Sequence, residues 1–327
     1  MKILVRMPNW LGDMVMSTAF LNALRDMYPS AHIDLIVKKG LDVLLNYFPP
    51  HNERFIFSKD DYKGIMGSWR FGKNIRKQNK YDLFFCLPDS FSSAIMGLAS
   101  GASKRIGFKK ELRSILLTNA YQKKNRLHRV EEYIDLLNQF LQISVKPPIV
   151  KLVTENTQKR NAIIININSE APSRRLPSKK AISIINAVRR TTDLELIFIG
   201  NNKEKEFVND VFNQLENKTN CTNLSGTTSL HDLVNLFSTS TLLLTTDSGP
   251  AHLANALGTH VIILFGAGNE SHTAPWNEKG RSIIRLGKLS CEPCENNMCK
   301  RYGVPECLLQ LDEQIIAHRV ALSLKST

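Results

Sequence analysis

Three short stretches place residues capable of chemistry where apolar runs stop. The first is "LLLTTDSGPAHLANALG", residues 242–258. Its apolar run ends at Asp247; Ser248, Gly249 and Pro250 follow, then His252 among alanines at helical spacing. Ser caps helices well, and Pro suits a first helical turn because its missing N–H would be unpaired there anyway. Gly249 lets the backbone approach a ligand closely. Free N–H groups and the positive end of the helix dipole make such a start an anion site, which His252 can also reach. The same residues equally suit an ordinary strand-to-helix turn whose Asp caps the helix. The second stretch is "NSEAPSRRLPSKK", residues 168–180. Guanidinium groups of Arg174 and Arg175 at the carboxyl edge of a parallel sheet can clamp a diphosphate bidentately; the alternative is a basic loop in water. The third is "RMPNWLGDMV", residues 6–15. Asp13 follows Gly12 where a strand turns into a helix. It can cap that helix, or act as a general base if a substrate hydroxyl reaches it.

Four of the six cysteines cluster late, in "CEPCENNMCKRYGVPEC". The spacing C-x2-C-x4-C-x7-C fits either a structural zinc held by Cys291, Cys294, Cys299 and Cys307 or a packed, reduced loop. The chain has no Walker A sequence. "GAGNES" at 266–271 lacks the last glycine of G-x-G-x-x-G, and there is no Asp-x-Asp. A diphosphate here is therefore expected to be held by Arg, backbone N–H groups and helix dipoles, without a metal.

These residues need elements to position them, and the pattern supplies a βαβ rhythm. "KILVRM" is a strand, and "DMVMSTAFLNALRDMYP" a helix with Val15, Met16, Ala19, Phe20, Ala23 and Leu24 on one face. "HIDLIVKK" and "YDLFFCLP" are further strands, and "RVEEYIDLLNQFLQ" an amphipathic helix. The rhythm breaks at "SVKPPIVKLVTENTQKR", a natural linker. It resumes with strands in "AIIININS", "LELIFIGN", "LLLTTDSG" and "HVIILFGAG", alternating with helices, and closes on the helix "DEQIIAHRVALSL". The expected architecture is α/β, with two doubly wound Rossmann-like domains. Ligands of such folds lie at the carboxyl ends of strands and in the cleft between domains.

At 327 residues with 43% hydrophobic content, two domains are expected. The net charge is +13, and residues 1–150 carry 23 Lys and Arg against 13 Asp and Glu. That field suits an anionic partner, or simply solubility. The chain lacks an aromatic-rich basic stripe, so nucleic acid is not expected. No apolar run approaches a membrane span, and the N-terminal apolar run is broken too early for a signal peptide, so a cytoplasmic protein is expected.

Together, "MPNWLGDMVMSTAFLNAL" and "TTDSGPAHLANALGTHVIILFGAGNESHTAPW" resemble the two signature regions of glycosyltransferase family 9, the lipopolysaccharide heptosyltransferases. "GASKRIGFKKELRSILL", "HRVEEY" and "LSGTTSLHDLVNL" fit between them in order, and the late cysteines resemble the tail of the heptosyltransferase II branch. The resemblance implies a GT-B architecture: an acceptor domain over 1–153, a donor domain over 154–311, and a last helix, 312–327, returning to the first domain. It implies inverting, metal-independent transfer of heptose from ADP-L-glycero-D-manno-heptose to the heptosyl-Kdo-lipid A inner core, with no cofactor and with peripheral contact with the inner membrane surface. A family member with another sugar, or a non-catalytic nucleotide-sugar or glycan binder, are the alternatives. Asp13 matches the family's general base. Arg174 matches a phosphate-binding Lys, and Asp247, Ser248, Gly249 and His252 the phosphate loop. Ser169, Glu204 and Thr228 match positions near the phosphates, ribose and adenine. The basic cluster Lys104, Arg105, Lys109, Lys110 and Arg113 fits an acidic, phosphorylated acceptor. Leu176 stands where the family often has Trp, which removes a large wall beside the donor.

Overall fold

The computed structural model describes residues 1–155 and 160–325. The chain divides into two compact units, Met1–Val153 and Thr154–Thr327. The end of the expected linker, residues 156–159, lies outside the described residues, as do the last two positions of the expected final segment.

The first unit is built from β1 (Lys2–Arg6), α1 (Leu11–Met16), α2 (Thr18–Met27), β2 (His32–Lys38), β3 (Arg54–Phe57), α3 (Gly64–Gln78), β4 (Leu83–Cys86), α4 (Phe91–Ala99), β5 (Lys104–Phe108), β6 (Asn119–Tyr121) and α5 (Arg129–Leu141). Two 3₁₀ segments, Asp42–Tyr47 and Glu111–Leu116, complete it. Its strands form one sheet in the order β3-β2-β1-β4-β5-β6, every neighbouring pair parallel. Strands covered on both faces read as continuous apolar runs, which is why β1, β2 and β4 are almost wholly buried. The helix expected over 13–29 is interrupted at Ser17, between α1 and α2. Ser17 Oγ donates to the Met14 carbonyl at 2.6 Å and Thr18 Oγ1 to that of Val15 at 2.9 Å. Hydroxyls that bond back to the preceding turn compete with the helical ladder. The apolar face still reaches the core: Val15, Met16, Ala19, Phe20, Ala23 and Leu24 are all buried.

The second unit contains β7 (Arg160–Asn166), α6 (Ser178–Arg189), β8 (Glu195–Phe198), α7 (Lys205–Asn213), β9 (Cys221–Asn223), α8 (Leu230–Thr239), β10 (Ser240–Thr246), α9 (Gly249–Ala256), β11 (His260–Phe265), α10 (Glu270–Thr273), β12 (Arg281–Arg285), α11 (Glu306–Leu309) and α12 (Glu313–Lys325). Its sheet runs β12-β11-β10-β7-β8-β9 and is also all parallel. Counted from each unit's first strand, both sheets have the order 3-2-1-4-5-6. The chain starts in the middle, builds outward, then crosses back and builds the other way. The switch point lies between β1 and β4 in one unit and between β7 and β10 in the other, and ligands favour such a crevice at the carboxyl ends of the strands.

The final helix, α12, packs on α6, β10 and β11 of the second unit. Its Ile316, Ala317 and Val320 belong to the second core, together with Ile163, Leu244 and Leu264. A helix with an apolar stripe goes where that stripe is buried, and here this is beside α6.

Candidate functional site

At the second switch point, β10 ends at Thr246 and α9 begins at Gly249. Ser248 occupies the N-cap position with an extended backbone, but its side chain makes no capping bond. It turns toward the sheet: Asn166 Nδ2 donates to Ser248 Oγ at 2.9 Å and to Thr245 Oγ1 at the same distance. The capping role expected of Ser248 is thus replaced by a polar tie between β7 and β10. That leaves the N–H groups of the first turn of α9 without a side-chain cap, which favours an anion there. His252, one turn in, is buried.

Asp247 is buried between the two strands and the loop after β11. Its Oδ2 has no hydrogen-bond partner and lies 3.4 Å from Arg174 Nη1. Burial pushes the Asp247 carboxyl up to about 6, against the pull of Arg174 and Arg285. Gly268 packs so closely on this carboxylate that a Cβ at that position would overlap Oδ2. Arg285 holds the loop around it, donating to the carbonyls of Gly266 and Gly268 and to the Glu270 carboxylate. "GAGNES" therefore does have a glycine that matters, but for close approach to a carboxylate, not for a dinucleotide fingerprint.

The remaining residues assigned to the donor line up along the same edge. Ser169 follows β7 and is buried, its Oγ 3.5 Å from the Asp247 carbonyl. Arg174 lies in a 3₁₀ turn, Pro172–Arg174. Arg175 points elsewhere: it donates to the Ser169 carbonyl at 3.1 Å and stacks on Phe207. Glu204 follows β8, caps the chain at Asn201 by accepting its N–H at 2.9 Å, and has a carboxyl raised by burial despite Asn201 and Arg175. Thr228 follows β9, just before the Ser229 cap of α8. From β10 through β7 and β8 to β9 the row crosses three strand spacings, roughly 14 Å. Leu176 is buried in the second core and donates its N–H to the Ile167 carbonyl.

The first switch point is acidic and basic together. Asp13, in the first turn of α1, pairs with Arg129 at 3.3 Å. Arg129 opens α5 and also pairs with Glu132. Asp89, after β4, meets Arg113 at 3.2 Å and Lys123 at 3.5 Å, and Lys123 reaches Glu132 at 3.0 Å. Burial raises the Asp13 carboxyl, Arg129 and Lys123 lower it, and Asp89 raises it again. Arg129, Lys123, Asp89 and Glu132 were not singled out from the sequence. The signal for Arg129 was its place in "HRVEEY", at a helix start that follows a strand.

The basic acceptor cluster is not one patch. Lys109 and Lys110 are exposed at the carboxyl end of β5, and Arg113 is buried beside Asp89. Lys104 and Arg105 open the same strand, on the opposite edge of the sheet. Lys104 lies over the Phe140 ring, and Arg105 binds the carbonyls of Leu116 and Ala102. A β-strand of five residues separates its ends by roughly 13 Å, so neighbours in sequence serve different edges.

The cysteine loop packs against the carboxyl edge of the second sheet. Glu295 donates its N–H to the Ala267 carbonyl, and Ser173 bonds to Asn296 and Asn297. Cys291, Cys294, Cys299 and Cys307 line one small apolar cavity as free thiols. Among the described residues no group of three or more His, Cys, Asp or Glu side chains is placed to hold a metal ion. The zinc reading of these cysteines thus gains no ligand set from the fold.

Two doubly wound 3-2-1-4-5-6 sheets, one with an uncapped helix start and the other with a paired carboxylate at its switch point, are an α/β architecture suited to a transferase of the nucleotide-sugar type. The family profile of glycosyltransferase family 9 (heptosyltransferase) matches residues 68–304, and the chain belongs to this family. It is 28% identical over 311 residues to lipopolysaccharide heptosyltransferase 2 of Escherichia coli, covering 88% of each chain. It is 25% identical to lipooligosaccharide heptosyltransferase 2 of Campylobacter jejuni, covering 91% of each. Among solved structures, E. coli ADP-heptose lipopolysaccharide heptosyltransferase II superposes with a TM-score of 0.82 at 25% identity, covering 100% of this chain and 99% of that one. A family 9 glycosyltransferase from Veillonella parvula superposes at 0.86 with 21% identity, covering 100% of this chain and 98% of that one, which bears on the fold alone. The fold is thus of the GT-B type.

Proposed function

We propose that this enzyme moves a heptosyl group from ADP-L-glycero-D-manno-heptose to a hydroxyl of the heptosyl-Kdo-lipid A inner core, with inversion. The observation that carries this reading is the row of Asp247, Ser169, Glu204 and Thr228 along one sheet edge, as long as a nucleoside diphosphate. The diphosphate sits at the start of α9, where backbone N–H groups and Arg174 face it. A carboxylate repels a diphosphate, so Asp247 serves by orienting Arg174. Glu204 lies at ribose distance along the row and Thr228 at its adenine end.

Asp13 takes the proton of the acceptor hydroxyl as that oxygen attacks the anomeric carbon. The bond from that carbon to the phosphate oxygen breaks, and ADP leaves with the electron pair. Burial makes Asp13 a stronger base than a carboxylate in water, and Arg129 holds it in place. Arg174 and the α9 dipole face the charge that grows on the leaving oxygen, so they stabilise the transition state more than the ground state. Lys109 and Lys110 attract the phosphorylated core. The lipid-linked acceptor brings the enzyme to a membrane surface, and no helix among the described residues is long and apolar enough to cross one.

The test is transfer in vitro from ADP-heptose to heptosyl-Kdo-lipid A in the presence of EDTA, followed by mass spectrometry. One added heptose, lost in Asp13→Asn, is the expected result. No transfer, with ADP binding intact, would overturn the acceptor. Tighter binding of UDP or GDP than of ADP would overturn the donor.

A further inference from the structure

In the first unit, α3, α4 and the 3₁₀ segment Glu111–Leu116 lie side by side, α3 against α4 and α4 against the 3₁₀ segment. Each follows a parallel strand, so all start at the carboxyl edge of the sheet, the edge that bears Asp13. Their first turns are apolar and bare. Ile65 and Met66 in α3 are 59% and 68% exposed, and Leu112 and Ile115 are 72% and 78% exposed. Phe91, the first residue of α4, is exposed between them. Residues three apart eclipse in a 3₁₀ helix, so Leu112 and Ile115 share one face. Exposed lysines flank the strip at each end: Lys63 caps α3, and Lys109 and Lys110 lead into the 3₁₀ segment, with Asp60, Asp61 and Glu111 as the nearby acids. In the second unit, among the described residues, no large exposed apolar side chain lies in the first turn of α6, α7, α8 or α9.

We infer that this strip is a membrane-docking surface that inserts its apolar side chains among the acyl chains of an anionic bilayer while the lysines meet the headgroups. Contiguous exposed apolar surface is rare on a soluble unit and marks an interaction site. A row of apolar tips edged by lysines suits an anionic lipid surface, where both terms act together. The excess of ten positive charges in residues 1–150 favours the same partner. The strip shares its edge with Asp13, so docking delivers the base to a lipid-linked sugar. That last point rests on the proposed acceptor; the docking itself does not.

The experiment is co-sedimentation of the full chain with vesicles of phosphatidylethanolamine and phosphatidylglycerol, and with vesicles of phosphatidylcholine alone. The chain is expected to prefer the anionic vesicles and to lose that preference at high salt. Leu112→Ser/Ile115→Ser and Ile65→Ser/Met66→Ser should each weaken binding about tenfold. Met27→Ser, at the opposite end of α2, should leave it unchanged. All these positions are exposed, and thermal melting checks that the variants fold. Transfer is measured in parallel on vesicle-borne and on fully deacylated, water-soluble acceptor. The strip variants should raise KM only for the vesicle-borne form. Undiminished vesicle binding by both double variants, or no vesicle binding by the parent chain, overturns the inference. So does self-association in ultracentrifugation that depends on the strip when vesicle binding does not. If the parent chain binds vesicles through the strip yet transfers heptose to neither acceptor, the proposed reaction falls and the surface stands.

Discussion

Both sheets have the same strand order, so each unit offers a crevice at the same topological position, but the two crevices are filled differently. Between β1 and β4, Asp13 and Asp89 sit among Arg113, Lys123 and Arg129, each acid with a basic partner. Between β7 and β10, Asp247 is buried with one arginine at 3.4 Å and no hydrogen bond on Oδ2. Burial raises both Asp13 and Asp247, and two cations pull each of them down, but Asp13 keeps more solvent. The difference teaches that one topology can hold a carboxylate in two ways. Asp13 is kept partly exposed and balanced, as the proposed base must be. Asp247 is walled in, and its fit is set by a glycine.

The largest expected break in this comparison is Asp13→Asn, which removes the proposed base and leaves the second crevice untouched. Turnover should fall about 10³-fold with ADP affinity unchanged, measured by single-turnover transfer and calorimetry. Arg174→Gln acts on the other crevice. The rate should fall about 10²-fold, with ADP binding weakened as well, because charge on the leaving oxygen loses its partner. Gly268→Ala pushes a methyl group into the Asp247 carboxylate and should destabilise the fold by ~2 kcal/mol in urea unfolding.

A pH series sharpens the contrast. The folded Asp247 carboxyl titrates at about 6 and the unfolded one near 3.8. Between those values the folded chain keeps a proton that the unfolded chain has released. Asp247 therefore makes stability fall as pH rises through this window, by ~3 kcal/mol in all, and adds no further slope above it. Thermal melting of the parent chain against Asp247→Asn over that range should show the difference, and a flat difference would refute it. Lys104→Ala should have the smallest effect, with kcat/KM changed by less than about twofold, because Lys104 sits at the opposite edge of the sheet.

The placement of much of the candidate site was legible because parallel α/β sheets put the residue after each strand at one edge. Asp13, Ser169, Arg174, Glu204, Thr228 and Asp247 all follow strands, and the βαβ rhythm is enough to gather them by unit. Other features were not legible. Ser248 looks like a cap, yet Asn166, on a strand 82 residues earlier, takes its hydroxyl. Arg129 and Lys123 lie more than 100 residues from Asp13, and nothing local marks them as its partners. Lys104 and Lys109 look like one basic cluster, and only the length of β5 separates them.

What the sequence determined by itself is the set of elements and the edge on which each loop falls, because strand and helix patterns are local and parallel pairing fixes direction. What the tertiary structure decided is which charges neutralise one another, which glycine must lack a side chain, and where α12 packs. Those depend on contacts between residues far apart in the chain, and burial, which sets the strength of every charge in the site, exists only once the sheets and helices have closed around it.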